Sequence, residues 1–242
     1  MNQLDNRAQF ETILADYHLS AKAKTLLSDM TLVLLSGPSA AGRNTIIEQL
    51  MISGGYQYIV SDTTRNPRLN NGVQEKNWVN YWFRTESELM EDLIKGDFLE
   101  AEIIHNQQVS GISMRELNKA FQSGQIALSE VEIGGFNNIA SLKPDTIGIF
   151  VLPPSFSEWL IRLEDRSQMP EIEVISRLKT GVRIFREIIS NPRAKIVVNS
   201  VLSQSVELID DIVHKRGDCD SVAGRRVANN LLIETEAYLS KK

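Results

Sequence analysis

A loop of small residues between a predicted strand and a predicted helix has the composition of a phosphate-binding site. The apolar run at 30–35 is short and rich in leucine, which predicts a buried strand, and a helix follows the loop. In this arrangement, backbone N–H groups and the positive end of the helix dipole bind a phosphate together. The candidate phosphate-binding residues are Gly37, Pro38, Ser39, Ala40, Ala41, Gly42, Arg43, Asn44 and Thr45.

The loop departs from the common phosphate-loop motif at two positions. Gly37 and Gly42 have the required spacing, but Arg43 replaces the lysine and Asn44 replaces the serine or threonine. Arg43 keeps the positive charge, although its planar guanidinium cannot simply replace a compact ammonium group. The amide oxygen of Asn44 and the hydroxyl of Thr45 are then weak candidate ligands for Mg²⁺. Taken alone, the two glycines also fit a tight strand-to-helix turn.

Polar residues suited to ligand binding also follow later predicted strands. Arg65 and Arg68 are three residues apart in a polar segment that contains proline, which fits either a solvated loop or an anion site. Glu130 ends one apolar strand and Asn199 ends another. Ligands of parallel α/β sheets bind beyond the carboxyl ends of the strands, so we expect these residues at the ligand-binding edge of the sheet.

The pattern along the whole chain predicts an α/β fold. Short apolar strands alternate with amphipathic helices, for example with the long helix that follows Pro170. Because parallel strands need crossover connections, we expect a parallel sheet with helices on both faces. Capping boxes at 85–88 and 113–116 predict two helix starts. The clearest strands are predicted at 30–35, 58–60, 98–105, 126–131, 146–152 and 195–199.

The composition limits the partners and the location of the protein. With 26 basic and 31 acidic residues the net charge is −5, so we expect no nonspecific binding to nucleic acid or to anionic membranes. The single cysteine, Cys219, rules out an internal disulfide framework and fits a reducing compartment. No apolar run approaches the roughly 20 residues that span a bilayer, so we expect a cytoplasmic protein. His18, His105 and His214 lack the spacing of metal ligands.

The order of these motifs resembles that of the guanylate kinase family over about 31–214. Seven segments occur in the order of the family, at 37–45, 61–68, 81–83, 98–100, 130–135, 152–155 and 197–199. An ordered set of this kind is far more specific than any single segment. The resemblance implies a phosphate-loop sheet with a small mixed subdomain that binds a nucleoside monophosphate, and a lid.

The resemblance also implies a division of the chain. It predicts a helical extension at 1–29, a kinase-like domain at 30–216 and a C-terminal tail or helix at 217–242. Within the domain, 61–129 corresponds to the GMP-binding subdomain, and 155–190 corresponds to the lid and the helix after it. The family match does not explain the two extensions, which either cover the core or bind a second copy. We therefore expect a monomer, or a homodimer through the terminal helices.

The implied activity is transfer of the γ-phosphoryl group of ATP to GMP or dGMP, with Mg²⁺, to give ADP and GDP or dGDP. ATP and Mg²⁺ would bind at the phosphate loop, with Asn199 near the adenine. The residues that match the GMP site are Ser61, Arg65, Arg68, Tyr81, Glu100, Ser110, Glu130 and Glu132. The residues that match the positively charged catalytic residues of the family are Arg43, Arg68, Arg166 and Arg177.

The chemistry of these residues agrees with the implied roles. Guanidinium groups bind phosphate oxygens in a bidentate manner. Guanine presents N1–H and N2–H donors, which a carboxylate such as Glu100 or Glu132 accepts. Ser110 stands where the family has a tyrosine, so one hydroxyl for the acceptor phosphate is lost unless Ser110 supplies it.

Two functions of different kinds fit this sequence. The first is a GMP kinase whose phosphate loop has adapted to Arg43 and Asn44, and retention of the arginines of the acceptor site and the lid favours it. The second is a pseudokinase that binds guanylate or protein, which the altered loop favours. A kinase for another acceptor, such as a sugar phosphate or a modified nucleotide, is disfavoured by the combination of Ser61, Glu100 and Glu132.

Overall fold

A computed structural model describes residues 4–70, 72–104, 106–165, 170–191 and 194–242. It confirms the α/β class, with parallel strands flanked by helices and a separate mixed sheet. In chain order, the elements are α1 (Arg7–Ala15), α2 (Ala21–Ser28), β1 (Leu32–Ser36), α3 (Arg43–Ser53), β2 (Tyr56–Tyr58), β3 (Asp62–Thr63), β4 (Leu69–Asn70), β5 (Val73–Gln74), β6 (Trp82–Phe83), α4 (Glu86–Ile94), β7 (Phe98–Ile104), β8 (Gln108–Ser113), α5 (Met114–Gln122), β9 (Ile126–Glu130), α6 (Ile133–Leu142), β10 (Ile147–Leu152), α7 (Phe156–Asp165), α8 (Glu171–Ser190), β11 (Lys195–Val198), α9 (Leu202–Val213) and α10 (Ser221–Leu239).

The chain divides into two compact units. The first, here called the acceptor unit, consists of residues up to Leu32, Gly55–Ser129 and Asn137–Asp145. The second, here called the loop unit, consists of Val33–Gly54, Glu130–Phe136 and Thr146–Lys242. Each unit contains some of the residues that the sequence singled out.

Parallel strands form the centre of the loop unit. Strand β10 pairs with β1 on one side and with β11 on the other, in parallel register. All five residues of β1 are buried, which explains why its sequence is continuously apolar rather than alternating. Helix α9 packs on α3, while α10 packs on α7, α8 and β11. The carboxyl end of β1 therefore leads into the phosphate loop from a buried, fixed strand.

A mixed sheet forms much of the acceptor unit. Its strand order is β6-β3-β8-β7, with β7 and β8 antiparallel and β3 and β6 parallel. The pairing of β7 with β8 has an irregularity, of the β-bulge kind, between Phe98 and Glu100. Strands β2 and β9 pair in parallel in the same unit, and β4 and β5 form a hairpin.

Several local predictions differ from the structure. Within the described residues, the helical extension that we predicted at 1–29 forms two helices, and Ser20 caps the second of them. The capping box of Thr85 and Glu88 is confirmed, whereas Ser113 makes no capping hydrogen bond, and the side chain of Glu116 pairs with Lys119. Among the helices within the described ranges, none combines the length and the apolar character needed to cross a bilayer.

Candidate functional site

The phosphate loop connects β1 to α3 in the loop unit, as the sequence predicts. Gly42 has a φ of 95°, a left-handed conformation that L-residues with a side chain rarely adopt. A Cβ atom at this position would overlap Nδ2 of Asn199, and one at Gly37 would overlap the carbonyl oxygen of Val151. The two glycines are therefore required by both the turn and the close packing of neighbouring strand ends. This observation separates the loop from an ordinary strand-to-helix turn.

Asn199 holds the phosphate loop from the end of β11. Its Nδ2 donates to the carbonyl oxygen of Ala41 at 2.9 Å, and its Oδ1 accepts from Oγ of Ser205 at 3.1 Å. The side chain is 6% exposed. The structure thus brings Asn199 to the loop, where its amide fixes the loop backbone.

Ser39 is contacted from the two helices of the predicted lid segment. Nε1 of Trp159 donates to the carbonyl oxygen of Ser39 at 2.7 Å, and Nη1 of Arg177 donates to its hydroxyl at 2.6 Å. Glu173 pairs with Arg177 from the preceding turn of α8. The structure therefore brings Arg177 to the phosphate loop. Arg166, the other predicted lid arginine, lies outside the described residues.

A cavity of 540 Å³ opens beside the loop. Its lining consists of Ala40, Ala41, Gly42, Arg43, Asn44, Thr45, Arg162, Asn199, Ser200 and Leu202. Arg162 was not among the predicted site residues. Both of its Nη atoms lie 3.2 Å from the carbonyl oxygen of Asn199, and its Nε bonds to Glu158 at 2.9 Å. The four-residue spacing of Glu158 and Arg162 on one helix was the available sequence signal.

Glu130 lies beside Arg43 at the start of α3. Its Oε2 is 4.0 Å from Nη1 of Arg43, and the same oxygen is buried without a hydrogen bond to any described residue. Glu132, the other acid of this segment, belongs to the same unit and is exposed. Both acids were predicted to contact GMP, and the structure places Glu130 close to the phosphate loop.

The residues around the loop are suited to an Mg²⁺ ion that arrives with a nucleotide. Across the part of the chain that the structure describes, no group of three or more His, Cys, Asp or Glu residues could hold a metal alone. Mg²⁺ with a nucleotide needs only one or two protein oxygens, because phosphates and water complete its coordination. The buried, unbonded oxygen of Glu130 and the polar side chains of Asn44 and Thr45 provide such oxygens.

Arg65 is held in one orientation within the acceptor unit. Its guanidinium makes two hydrogen bonds to the carboxylate of Glu75, at 2.5 and 3.0 Å, and lies 4.7 Å from the ring centroid of Tyr81. Glu75 also accepts from the backbone N–H of Arg68, whose side chain is exposed. Sequence reasoning missed Glu75, which no local pattern marks. Glu75 therefore contacts the guanidinium of Arg65 and the backbone of Arg68.

Ser110 belongs to a small polar cluster on neighbouring strands. Its Oγ is 2.8 Å from Oγ1 of Thr63, and Nε2 of Gln108 donates to it at 3.1 Å. Ser61 lies on the segment before β3, and its carbonyl oxygen accepts from the N–H of Trp82. The acceptor unit thus contains Ser61, Arg65, Arg68, Tyr81, Glu100 and Ser110 of the predicted GMP site.

Glu100 and Glu102 lie two residues apart on β7, so their side chains share one face of the strand. Burial, and then the negative charge of Glu102, raises the pKa of Glu100 to about 8. Oε1 of Glu102 accepts a hydrogen bond from Asn138 at 3.2 Å. A carboxyl group in this state gains strongly from a ligand that offers N–H donors, because donors stabilise its ionised form.

Substitution of Gly42 with alanine should weaken ATP binding at least tenfold. The substitution strains the left-handed backbone and pushes Asn199 from the loop, so the backbone N–H groups no longer converge on phosphate. Titration of the protein with a non-hydrolysable ATP analogue measures the effect. Gly54→Ala is the matched control, since Gly54 has a φ of 85° but open space around its Cβ position. Equal ATP affinity of both variants would contradict this account of the loop.

The strand–loop–helix geometry, with its cavity and cationic side chains, defines a phosphate-loop nucleotide-binding protein. A family model described as guanylate kinase matches residues 29–216. The chain belongs to the guanylate kinase family.

Individual relatives agree with the family match. A guanylate kinase of Corynebacterium glutamicum is 34% identical over 185 residues, which are 75% of this chain and 94% of that protein. A guanylate kinase of Corynebacterium diphtheriae is 34% identical over 186 residues, with 75% and 93% of the two chains covered. The crystal structure of guanylate kinase from Anaplasma phagocytophilum matches with a TM-score of 0.56 at 20% identity, covering 79% of this chain and 88% of that one. At this identity the structural match supports the fold.

Proposed function

We propose that this protein is an ATP-dependent guanylate kinase, which transfers the γ-phosphoryl group of ATP to GMP or dGMP. The contact of Arg177 with Ser39 carries the proposal, because it holds a lid cation on the phosphate loop. A guanylate-binding pseudokinase has no use for that contact. The kinases named among the relatives support the same choice.

On the donor side, the loop supplies backbone N–H groups to the phosphates, and Arg43 and Arg177 supply positive charge. Phosphoryl transfer needs little covalent chemistry from a protein, so positioning and charge neutralisation provide most of the catalysis. Oε2 of Glu130 lies 4.0 Å from Nη1 of Arg43 and partly balances its charge. One or two of Asn44, Thr45 and Glu130 would hold Mg²⁺, which would offset the negative charge of the phosphates.

On the acceptor side, Arg65 and Arg68 hold the monophosphate of GMP. Glu75 and Tyr81 keep the fork of Arg65 in one orientation, which reduces the ordering that binding must supply. The carboxylate of Glu100 accepts the N1–H and N2–H donors of guanine. Adenine lacks this pair of donors, so AMP would leave a partly buried carboxylate without partners.

We further propose that the kinase works as a cytoplasmic monomer, with a kinase domain at 30–216. The single cysteine supports a reducing compartment. Helix α10 packs on α7 and α8 of its own chain, and α1 packs on α4 and β7, so both terminal segments cover their own units. Light scattering after gel filtration measures the mass in solution. A mass near 54 kDa, about twice the 27.2 kDa of the chain, would show a homodimer and contradict the monomer.

A coupled assay with ATP, Mg²⁺ and GMP tests the activity, and calorimetry with GMP, AMP and UMP tests the base. We expect ADP formation that depends on GMP, and we expect GMP to bind more strongly than AMP or UMP. Tight GMP binding without turnover would identify the pseudokinase. Equal affinity for all three nucleotides would contradict guanine recognition.

The affinity for GMP should rise with pH between about 6 and 8 and level off above the pKa of Glu100 of about 8. GMP prefers the ionised carboxylate, so below the pKa each pH unit lowers the affinity about tenfold. Calorimetry at constant ionic strength measures this profile. Glu102→Gln removes the neighbouring charge, so its midpoint should lie at lower pH than that of the wild type. A flat profile in the wild-type protein would contradict the role of Glu100.

A further inference from the structure

The N-terminal segment 4–19 lies outside the matched family segment 29–216, yet it packs against the strand that carries Glu100. We infer that this segment is part of the guanine-recognition site, and that Tyr17 is a positioning residue for Glu100. The inference rests on the proposed function, because it assigns a role in GMP binding. Three features of the acceptor unit support it.

The first feature is a shared apolar cluster. Phe10 of α1 is fully buried, and it packs in one cluster with residues of α4, β7 and β8. The buried members are Leu4, Phe10, Leu89, Leu93, Phe98 and Val109. The half-buried residues packed against them are Ile13, Leu14, Tyr17, Met90, Ala101 and Ile103. The extension is therefore not a loose arm, since its apolar face forms part of the core of this unit.

The second feature is the alternation of side chains along β7. Ala101 and Ile103 pack on the cluster, so Glu100 and Glu102 lie on the opposite face of the strand. Val109 likewise packs on the cluster, between the polar residues Gln108 and Ser110 of β8. The N-terminal segment thus covers one face of the two strands, whose other face carries the predicted GMP-binding side chains.

The third feature is the hydroxyl group of Tyr17. It donates to the carbonyl oxygen of Phe98 at 2.6 Å and accepts from the N–H of Phe98 at 2.8 Å. Strand β7 is at the edge of the mixed sheet, and its pairing with β8 is irregular between Phe98 and Glu100. One side chain therefore pairs both backbone groups of Phe98 next to this irregularity, two residues before Glu100.

The energetics explain why this position needs support. An edge strand with a bulge has unpaired backbone groups, and leaving buried N–H or C=O groups unpaired is costly. Glu100 must also ionise in a half-buried place beside Glu102 when it binds guanine. A strand free to shift would let water reach the carboxylate and would move it from the base. Burial raises the pKa of Tyr17 to about 12, so its hydroxyl remains a neutral donor in the pH range of the assay.

Tyr17→Phe tests the inference in the full-length chain, because it removes the hydroxyl and keeps the ring in the cluster. We expect the Kd for GMP to rise about fivefold to tenfold, with the KM for ATP and kcat within twofold of the wild type. The pH midpoint of GMP binding should also fall, because a loosened strand lets water reach Glu100. Thr12→Val is the matched control, since the hydroxyl of Thr12 bonds only within α1, to the carbonyl oxygen of Ala8, in the described structure.

The outcomes separate this inference from the proposed function. Wild-type protein that fails to prefer GMP over AMP would overturn the proposed function itself. Wild-type preference for GMP, with an unchanged Kd and pH midpoint in Tyr17→Phe, would overturn only the role of Tyr17, even if thermal stability fell. If Tyr17→Phe is not obtained as folded protein, Phe10→Leu loosens the same strand through the cluster. Phe10→Leu should then weaken GMP binding without affecting ATP binding. A GMP affinity equal to that of the wild type would contradict the inference.

Discussion

Glu100→Gln should reduce kcat/KM for GMP by about 10³-fold at saturating ATP. Glutamine matches the shape of the glutamate, but its amide presents donors of its own to the N–H donors of guanine. It accepts at one oxygen only, so one N–H of the bound base loses its partner. Steady-state kinetics with GMP as the varied substrate measures the loss, and the KM for ATP should stay within about twofold.

Glu91→Gln is the matched control for this substitution. Glu91 is exposed on α4 of the same unit, so it undergoes the same chemical substitution and leaves the site untouched. Its kinetics should equal those of the wild type. A Glu100→Gln enzyme that keeps more than about a tenth of wild-type kcat/KM would contradict base recognition by Glu100.

Glu100→Gln should also stabilise the folded protein above pH 8. The pKa of Glu100 is about 8 in the folded chain, whereas the ordinary pKa of a glutamate is 4.5. Between these values the native state binds more protons than the unfolded state, so stability falls as pH rises. Glutamine does not titrate, so the variant avoids this loss of stability. Its free energy of unfolding at pH 8.5 should be higher than that of the wild type by at least about 1 kcal/mol, which is roughly the energy of one pKa unit. Urea unfolding at pH 5 and pH 8.5 measures the difference, which should be small at the lower pH.

Arg43→Gln should lower kcat by roughly 10² to 10³-fold, with little change in GMP affinity. Arg43 is the first residue of α3 and lines the cavity beside the phosphate loop, so we propose that its charge faces the phosphates of ATP. Loss of that charge removes stabilisation that is needed most when negative charge develops on the transferring group. Coupled kinetics measures kcat, and calorimetry with GMP checks that the acceptor side is intact.

Arg43→Lys is the control for charge at this position. It restores the residue of the common motif and keeps the positive charge, so we expect it to retain at least about a tenth of wild-type kcat. Glu130, which lies 4.0 Å from Arg43, would then face an ammonium group instead of a guanidinium. Full activity of Arg43→Gln would show that the loop works without this charge and would remove Arg43 from the catalytic residues.

Much of the fold was predictable because it depends on local patterns. The continuously apolar β1 and the glycine positions of the loop follow from burial and from backbone sterics, which act within a few residues. The long helix after Pro170 follows from its apolar periodicity. Prediction failed at the N-terminal helix, which breaks before Ser20, where the N–H of Ser20 bonds to the distant carbonyl oxygen of Gly96. It also failed at the cap of α5.

The sequence by itself determined the α/β class, the phosphate loop and the membership of the guanylate kinase family, since spacing and order along the chain carry that information. Only the tertiary structure decided which partners each side chain has. Arg177 reaches Ser39 from 138 residues away, and no local pattern marks Glu75 as the partner of Arg65. The raised pKa of Glu100 and its support by Tyr17 likewise depend on burial and on packing between distant segments. Burial and charge pairing arise from the folded arrangement, and short-range sequence patterns do not contain them.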